Sequence, residues 1–145
     1  MKIIIETRVN ATLDEVWKAW TTADDIKQWN TASKDWRTTK ATVDLRPGGT
    51  FSSRMEAKDG SMGFDFAGTY TRISVTRLIE CRIGDRVLLV EFIPGTRGVL
   101  VRETFDPEST HPVEQQRQGW QAILENLAKF VEAKVPSWGP PHMRL

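Results

Sequence analysis

The feature that most constrains the fold is a stretch of alternating apolar and polar residues from residue 39 to residue 105. Alternation with a period of two places successive side chains on opposite faces of a β-strand. Turn residues such as Pro47-Gly48-Gly49 and Asp59-Gly60 divide the stretch into short segments. The predicted strands cover residues 40–46, 50–58, 63–75, 77–83, 86–93 and 97–105. Because the connections are short, we expect an antiparallel meander.

A further strand and two short helices are predicted before the meander. Residues 2–10 alternate and form the strand. Thr12 and Glu15 match a capping box, in which each side chain bonds the backbone of the other residue. A second match, Thr22 with Asp25, predicts the start of another short helix.

One long helix is predicted after the meander, over residues 112–134, with apolar residues at helical spacing. It is the only long amphipathic segment, so we expect it to cover the concave face of the sheet. The two short helices would then close one end. The predicted class is α+β, with a curved antiparallel sheet in β-α-α-β6-α order around the C-terminal helix.

Charge and composition exclude several function classes. The chain has 20 Lys and Arg against 19 Asp and Glu, without a block of like charges, so we expect no nucleic-acid partner. The first ten residues do not match the pattern of a signal peptide and no 18-residue apolar stretch occurs, so we expect no membrane insertion and a cytoplasmic location. One cysteine, two histidines and no glycine-rich phosphate motif predict neither a metal nor a cofactor.

Three segments carry a family resemblance. The residues at 44–70 (DLRPGGTFSSRMEAKDGSMGFDFAGTY), at 103–108 and at 111–132 resemble the START-like, Bet v-like helix-grip superfamily (SRPBCC). The branch is the one related to the C-terminal domain of the heat-shock-protein-90 ATPase activator, which is grouped with polyketide cyclases. The resemblance implies a helix-grip domain over residues 1–134 with an apolar cavity between sheet and helix. Residues 135–145, rich in proline, are predicted to lack regular structure and to be foreign to the natural domain.

The sheet contributes one group of candidate ligand-binding residues. Alternation places Phe51, Ser53, Met55, Phe64, Phe66 and Tyr70 on the inward face of two strands, and all of these except Ser53 are candidates. Such an aromatic stripe either fills a core or lines a pocket. A single helix fills only part of a broad curved sheet, which favours the pocket, and Tyr70 would supply a polar hydroxyl.

The long helix contributes a second group, namely Gln116, Arg117, Trp120 and Leu124. Positions 116 and 117 should continue the apolar stripe but are polar. Either this end of the helix extends into solvent, or it covers a cavity and offers hydrogen bonds to a guest. Gly119 is unfavourable within a helix, and we expect it to allow close approach of the helix to the sheet.

Trp29 and Trp36 flank a loop at residues 30–35, which is predicted to form the rim of the cavity. Aromatic side chains at such a rim either pack against neighbours or control the entry of apolar ligands.

Glu103 is the candidate catalytic residue and a candidate polar anchor. It shares strand parity with Val99, Val101 and Phe105. If the valines face inward, so does the carboxylate, and it then needs a partner such as Arg82 or Arg117, or a raised pKa. Alternatively, a local twist exposes Glu103, or its side chain caps a neighbouring loop.

These observations favour a protein that binds an apolar or aromatic small molecule, such as a lipid, a flavonoid or a polyketide-like compound. The alternative is a cyclase or hydrolase that uses Glu103 as an acid–base group. A further alternative is a co-chaperone that stimulates a chaperone ATPase, although we expect the partner-binding region upstream of this domain in the eukaryotic activator to be lacking. A homodimer through a sheet edge or the helix is also an expectation.

Overall fold

A computed structural model describes residues 1–134, and the prediction for residues 135–145 lies outside this described part. The elements follow the predicted order. The helices are α1 (Leu13–Thr21), α2 (Ala23–Trp29) and α3 (Val113–Lys134). The strands are β1 (Ile3–Val9), β2 (Trp36–Val43), β3 (Thr50–Ala57), β4 (Gly63–Ser74), β5 (Leu78–Ile83), β6 (Arg86–Gly95) and β7 (Gly98–Phe105).

All seven strands form one antiparallel sheet in the spatial order β1-β7-β6-β5-β4-β3-β2. The register shifts between Thr38 and Lys40 in β2 and between Tyr70 and Arg72 in β4. Such bulges bend a strand and increase its twist. The curled sheet and the long helix confirm the predicted α+β helix-grip fold.

The first short helix begins as predicted, whereas the cap predicted for the second does not form. Thr12 Oγ1 accepts a hydrogen bond from the Glu15 N–H, and the Glu15 carboxylate accepts one from the Thr12 N–H. The side chain of Thr22 makes no capping hydrogen bond. Asp25 instead pairs with Lys134 at 3.1 Å, which connects α2 to the end of α3.

The largest difference in strand limits is in β2, which begins at Trp36 and ends at Val43 rather than covering residues 40–46. The bulge between Thr38 and Lys40 interrupts the alternation there, so the sequence pattern becomes regular only after it. The residues after Val43 form a loop held against β4. The Gly48 N–H donates to the Tyr70 carbonyl and the Tyr70 N–H donates to the Gly49 carbonyl, both at 2.8 Å.

Candidate functional site

A cavity of about 320 Å³ lies between the concave face of the sheet, α2 and the first half of α3. Most of the predicted ligand-binding residues line it. These residues are Trp29, Trp36, Phe51, Met55, Phe64, Phe66, Tyr70, Glu103 and Trp120. Strand parity and the helical stripe therefore identified much of the wall.

The cavity exists because α3 is fixed along one edge of the sheet. The side chains of Arg117 and Gln121 donate to backbone carbonyls of Ile4 and Glu6 in β1, at 3.3 and 3.0 Å. Farther along the helix, the Glu132 carboxylate accepts a hydrogen bond from the Asn10 N–H at 2.8 Å. The helix thus follows β1, and the part of the sheet formed by β2 to β5 is only partly covered.

Aromatic rings form a connected lining across this uncovered part. The Phe51 ring lies 5.2 Å from Tyr70 and 5.9 Å from Phe66, between ring centroids. Phe66 contacts Trp120 edge to face at 5.8 Å, and Trp120 stacks on Phe105 at 3.9 Å. Because these rings support one another, they stand around the cavity rather than collapsing into it.

The two tryptophans predicted at the rim have different roles. Trp29 is buried, and its Nε1–H donates to the Ala19 carbonyl at 3.0 Å, so it forms part of the inner wall. Trp36 contacts Phe64 at 5.8 Å, and Phe64 is 47% exposed. Trp36 and Phe64 therefore lie where the cavity opens to solvent.

Glu103 is 4% exposed and lines the cavity. Burial raises the pKa of its carboxyl from 4.5 to about 8. Neither expected partner reaches it. Arg82 is exposed, and Arg117 bonds Ile4 and pairs with Glu114. Within residues 1–134, no side chain or backbone N–H donates to the Glu103 carboxyl.

The other polar groups on the cavity wall are neutral. Ser53 and Cys81 are buried and line the cavity together with Tyr70. Burial raises the pKa of the Tyr70 hydroxyl and raises that of the Cys81 thiol to about 12. At neutral pH, all three can only donate or accept hydrogen bonds.

Three predicted ligand-binding residues lie away from the cavity. Gln116 is buried and holds the loop before α3, because its side chain bonds the Glu108 N–H and the carbonyls of Glu108 and His111. Arg117 lies over β1, and Leu124 is fully buried in the packed core. Helical spacing does not show where along its length a helix borders a void.

Gly119 also differs from its prediction. A Cβ atom added there would meet nothing within 4 Å, and Gly119 lines the cavity, so it does not mediate a close approach to the sheet. Gly68 is the opposite case. A Cβ there would lie 2.5 Å from the Arg82 carbonyl oxygen and 2.8 Å from the Phe51 ring.

Sequence reasoning left some wall residues out of the candidate site. They include Trp20, Ser53, Ile79, Cys81, Val90 and Ile123. Strand parity places Ser53 on the inward face with Phe51 and Met55, and helical spacing places Ile123 on the stripe of Trp120, so the pattern was sufficient to include both. Trp20 could not, because the packing of α1 and α2 against the sheet places it.

The described part of the chain offers neither a metal cluster nor a membrane-spanning helix. No group of three or more His, Cys, Asp or Glu side chains within residues 1–134 could hold a metal ion. None of the helices in this range is long and apolar enough to cross a lipid bilayer.

Comparison with known proteins finds a family and a set of solved structures. The family described as activator of Hsp90 ATPase homolog 1-like protein matches residues 10–132. The solution structure of the AHSA1-like protein from Aeromonas hydrophila is 46% identical, with a TM-score of 0.86, over 92% of this chain and 93% of that chain. No curated protein matches.

Two further structures extend the comparison. A solution structure from Cytophaga hutchinsonii is 41% identical, with a TM-score of 0.79, over 97% of this chain and 99% of that chain. A crystal structure from Chromobacterium violaceum is 22% identical, with a TM-score of 0.82, over 91% of this chain and 98% of that chain. The second likeness concerns the fold alone.

Proposed function

The chain belongs to the family of activator of Hsp90 ATPase homolog 1-like proteins, and we propose that it binds an apolar or aromatic small molecule between its sheet and α3. The observation that carries this proposal is the cavity of about 320 Å³ lined by aromatic rings. Protein interiors are normally close-packed, with few voids larger than a water molecule. A space of this size is therefore expected to hold a guest.

The energetics of the cavity support a guest. The apolar side chains that line this open cavity stay accessible to water until a guest covers them, which is unfavourable. A guest that occupies it removes its own apolar surface from water and gains about 25 cal/mol per Å². Binding of such a guest would thus stabilise the folded state.

The size of the cavity favours a compact guest. Pockets for small molecules typically measure about 300–1,000 Å³, and this one lies at the lower end. Flat aromatic walls match flat ring systems by stacking and edge-to-face contacts. A guest with two or three fused rings, such as a flavonoid or a polyketide-like compound, fits better than a long acyl chain.

The test is a chemical-shift titration of the protein with 1-methylnaphthalene, a flavonoid and palmitate. Four tryptophans line the cavity, whereas Trp17 packs in the core against Phe92 at 5.3 Å. We expect the indole N–H signals of Trp36 and Trp120 to shift with the ring compounds and that of Trp17 to stay in place.

A cavity-filling variant completes the test. Cys81 is buried and lines the cavity, so Cys81→Phe should abolish the shifts, and Cys81→Ala should retain them as the matched control. Thermal unfolding verifies that both variants are folded. The proposal fails if the ring compounds leave the Trp36 and Trp120 signals unmoved, or if Cys81→Phe binds them like the wild type.

Acid–base catalysis is the second candidate function, and the raised pKa of Glu103 favours it. A carboxyl with a pKa of about 8 is close to the value that suits a general base at neutral pH. Tyr70 is the available second group, since His111 is exposed and bonds Glu108 outside the cavity. The test is to incubate the protein with a polyketide-like compound and analyse the compound afterwards. Conversion by the wild type that is absent in Glu103→Gln would favour catalysis, whereas recovery of every compound unchanged would favour binding without catalysis.

A further inference from the structure

Glu103 has an ionisable side chain that lies among apolar neighbours. It lies on β7 between Val101 and Phe105 on the inward face, and its register partners are Ile5 in β1 and Val90 in β6. It is 4% exposed and reaches the cavity wall. A buried carboxyl without a hydrogen-bond partner lowers the stability of a fold. A group of this kind at a cavity wall is one that a guest can satisfy.

The remaining wall offers no positive charge. Among the residues of the described chain that line the cavity, none is Lys, Arg or His. An anionic guest would therefore find no cation to pair with, and it would also lie near the acidic Glu103 carboxyl. A guest that donates hydrogen bonds or carries a positive charge complements the wall.

The aromatic lining adds to this preference. Trp120, Phe66 and Tyr70 lie around the same cavity as Glu103. The faces of such rings attract cations, and the attraction is stronger where water is excluded. A carboxylate combined with several aromatic rings is an environment suited to an ammonium group.

We propose that the guest is an aromatic or alicyclic amine, whose ammonium group pairs with the Glu103 carboxylate while its rings occupy the aromatic cavity. This inference rests on the proposed function, since it requires that the cavity binds a small molecule. It names the chemical class of that molecule. It also predicts that acids of the same shape bind poorly.

Pairing with an ammonium group changes the protonation state of the Glu103 carboxyl. The buried carboxyl, with its pKa of about 8, is largely protonated at neutral pH when the cavity holds no guest. When a protonated amine binds, the carboxyl releases its proton to solvent and becomes the carboxylate of the ion pair. As the pH is raised toward about 8, the affinity for the amine should therefore increase by up to about tenfold per pH unit.

The other groups that face Glu103 do not take part in this balance. Cys81 on β5 and Tyr70 on β4 are the titratable side chains on the cavity wall besides Glu103, and burial raises the pKa of each. Both stay protonated at neutral pH. The elements β1, β6 and α3 present only apolar residues there, such as Ile5, Val90 and Trp120.

The experiment compares three probes of one shape, namely 1-naphthylmethylamine, 1-methylnaphthalene and 1-naphthoate, by isothermal titration calorimetry at pH 8. We expect the amine to bind at least tenfold more tightly than the hydrocarbon, and the naphthoate to bind most weakly. In Glu103→Gln, the advantage of the amine should disappear. Glu91→Gln is the matched control, because Glu91 pairs with Arg102, away from the cavity wall, and it should keep the wild-type order.

Proton release gives a readout on the unmodified protein. Titration of the amine at pH 7, in buffers of different ionisation enthalpy, should show close to one proton released per complex, and none in Glu103→Gln. Equal affinity for amine and hydrocarbon, or no proton release, would overturn the amine inference and leave the proposed function standing. If none of the three probes binds at the cavity, the amine inference fails, and the proposed function fails with it only if the flavonoid also leaves the Trp36 and Trp120 signals unmoved.

Discussion

The two halves of the interior are built from the same sheet and the same helix, yet one is filled and the other is open. In the packed half, Leu124 and Leu127 of α3 and Val99 and Val101 of β7 belong to one buried core, and all four are essentially inaccessible to solvent. In the open half, Gly119 and Trp120 of α3 face aromatic strands across a cavity of about 320 Å³. The halves therefore differ in the side chains that α3 contributes, which are buried leucines in the packed half and a glycine and a tryptophan at the cavity.

This difference shows that the cavity arises from the position of α3 as much as from the residues of the wall. Because α3 follows β1, its leucines lie in the buried core on that side of the sheet. On the other side, the rings of Phe51, Phe66 and Tyr70 contact one another around the space that the helix does not reach. The packed half supplies stability, and the open half is free to bind a guest.

The largest expected effect concerns the packed half. Leu127→Ala should lower the free energy of unfolding by about 2–5 kcal/mol, since it removes a fully buried side chain and leaves a cavity. Ile123→Ala, at the cavity wall, should cost less than half as much, because that side chain already lacks neighbours on one side. Urea denaturation measures both. Equal losses would mean that the halves do not differ energetically.

The next effect is the pH dependence of stability, which comes from the open half. The pKa of Glu103 is raised in the folded protein to about 8, so the folded state binds its proton more tightly than the unfolded state does. The stabilising contribution is complete below a pH of about 4.5 and is lost as the pH rises to about 8, by up to about 1.4 kcal/mol per pH unit.

Glu103→Gln should remove this slope and be more stable than the wild type above pH 8. The measurement is urea denaturation of both proteins across this pH range, with Glu91→Gln as the charge-matched control. Parallel pH profiles for wild type and Glu103→Gln would show that the carboxyl is not desolvated.

The smallest expected effect is a change in stability of opposite sign when two glycines are replaced by alanine. Gly119→Ala should raise the free energy of unfolding by about 1 kcal/mol, because alanine favours the helix and its methyl group enters open space. Gly68→Ala should destabilise the protein, since its methyl group would collide with the Arg82 carbonyl. Thermal unfolding distinguishes the two, and a loss at both positions would argue that Gly119 lies against packed atoms.

Local sequence patterns were sufficient to predict most of the fold and the part of the cavity wall that the sheet forms. Alternation placed Phe51, Phe66, Tyr70 and Glu103 on the inward face, because side-chain direction in a strand follows from parity alone. It failed at the start of β2, where a bulge interrupts the period. It also offered Arg82 and Arg117 as partners for Glu103, and neither reaches the carboxyl, since pairing of a buried charge depends on contacts between distant segments.

The sequence by itself determined the order of the elements, their faces and the long C-terminal helix, since these follow from periodicity, capping and turn residues acting over a few positions. Only the tertiary structure decided that α3 lies along β1, that Gln116 holds a loop and that Leu124 is in the packed core. The physical reason is that a void is a property of the distance between elements. That distance is set by long-range contacts, such as those of Gln121 and Glu132 with β1 and the loop after it, which no local pattern encodes.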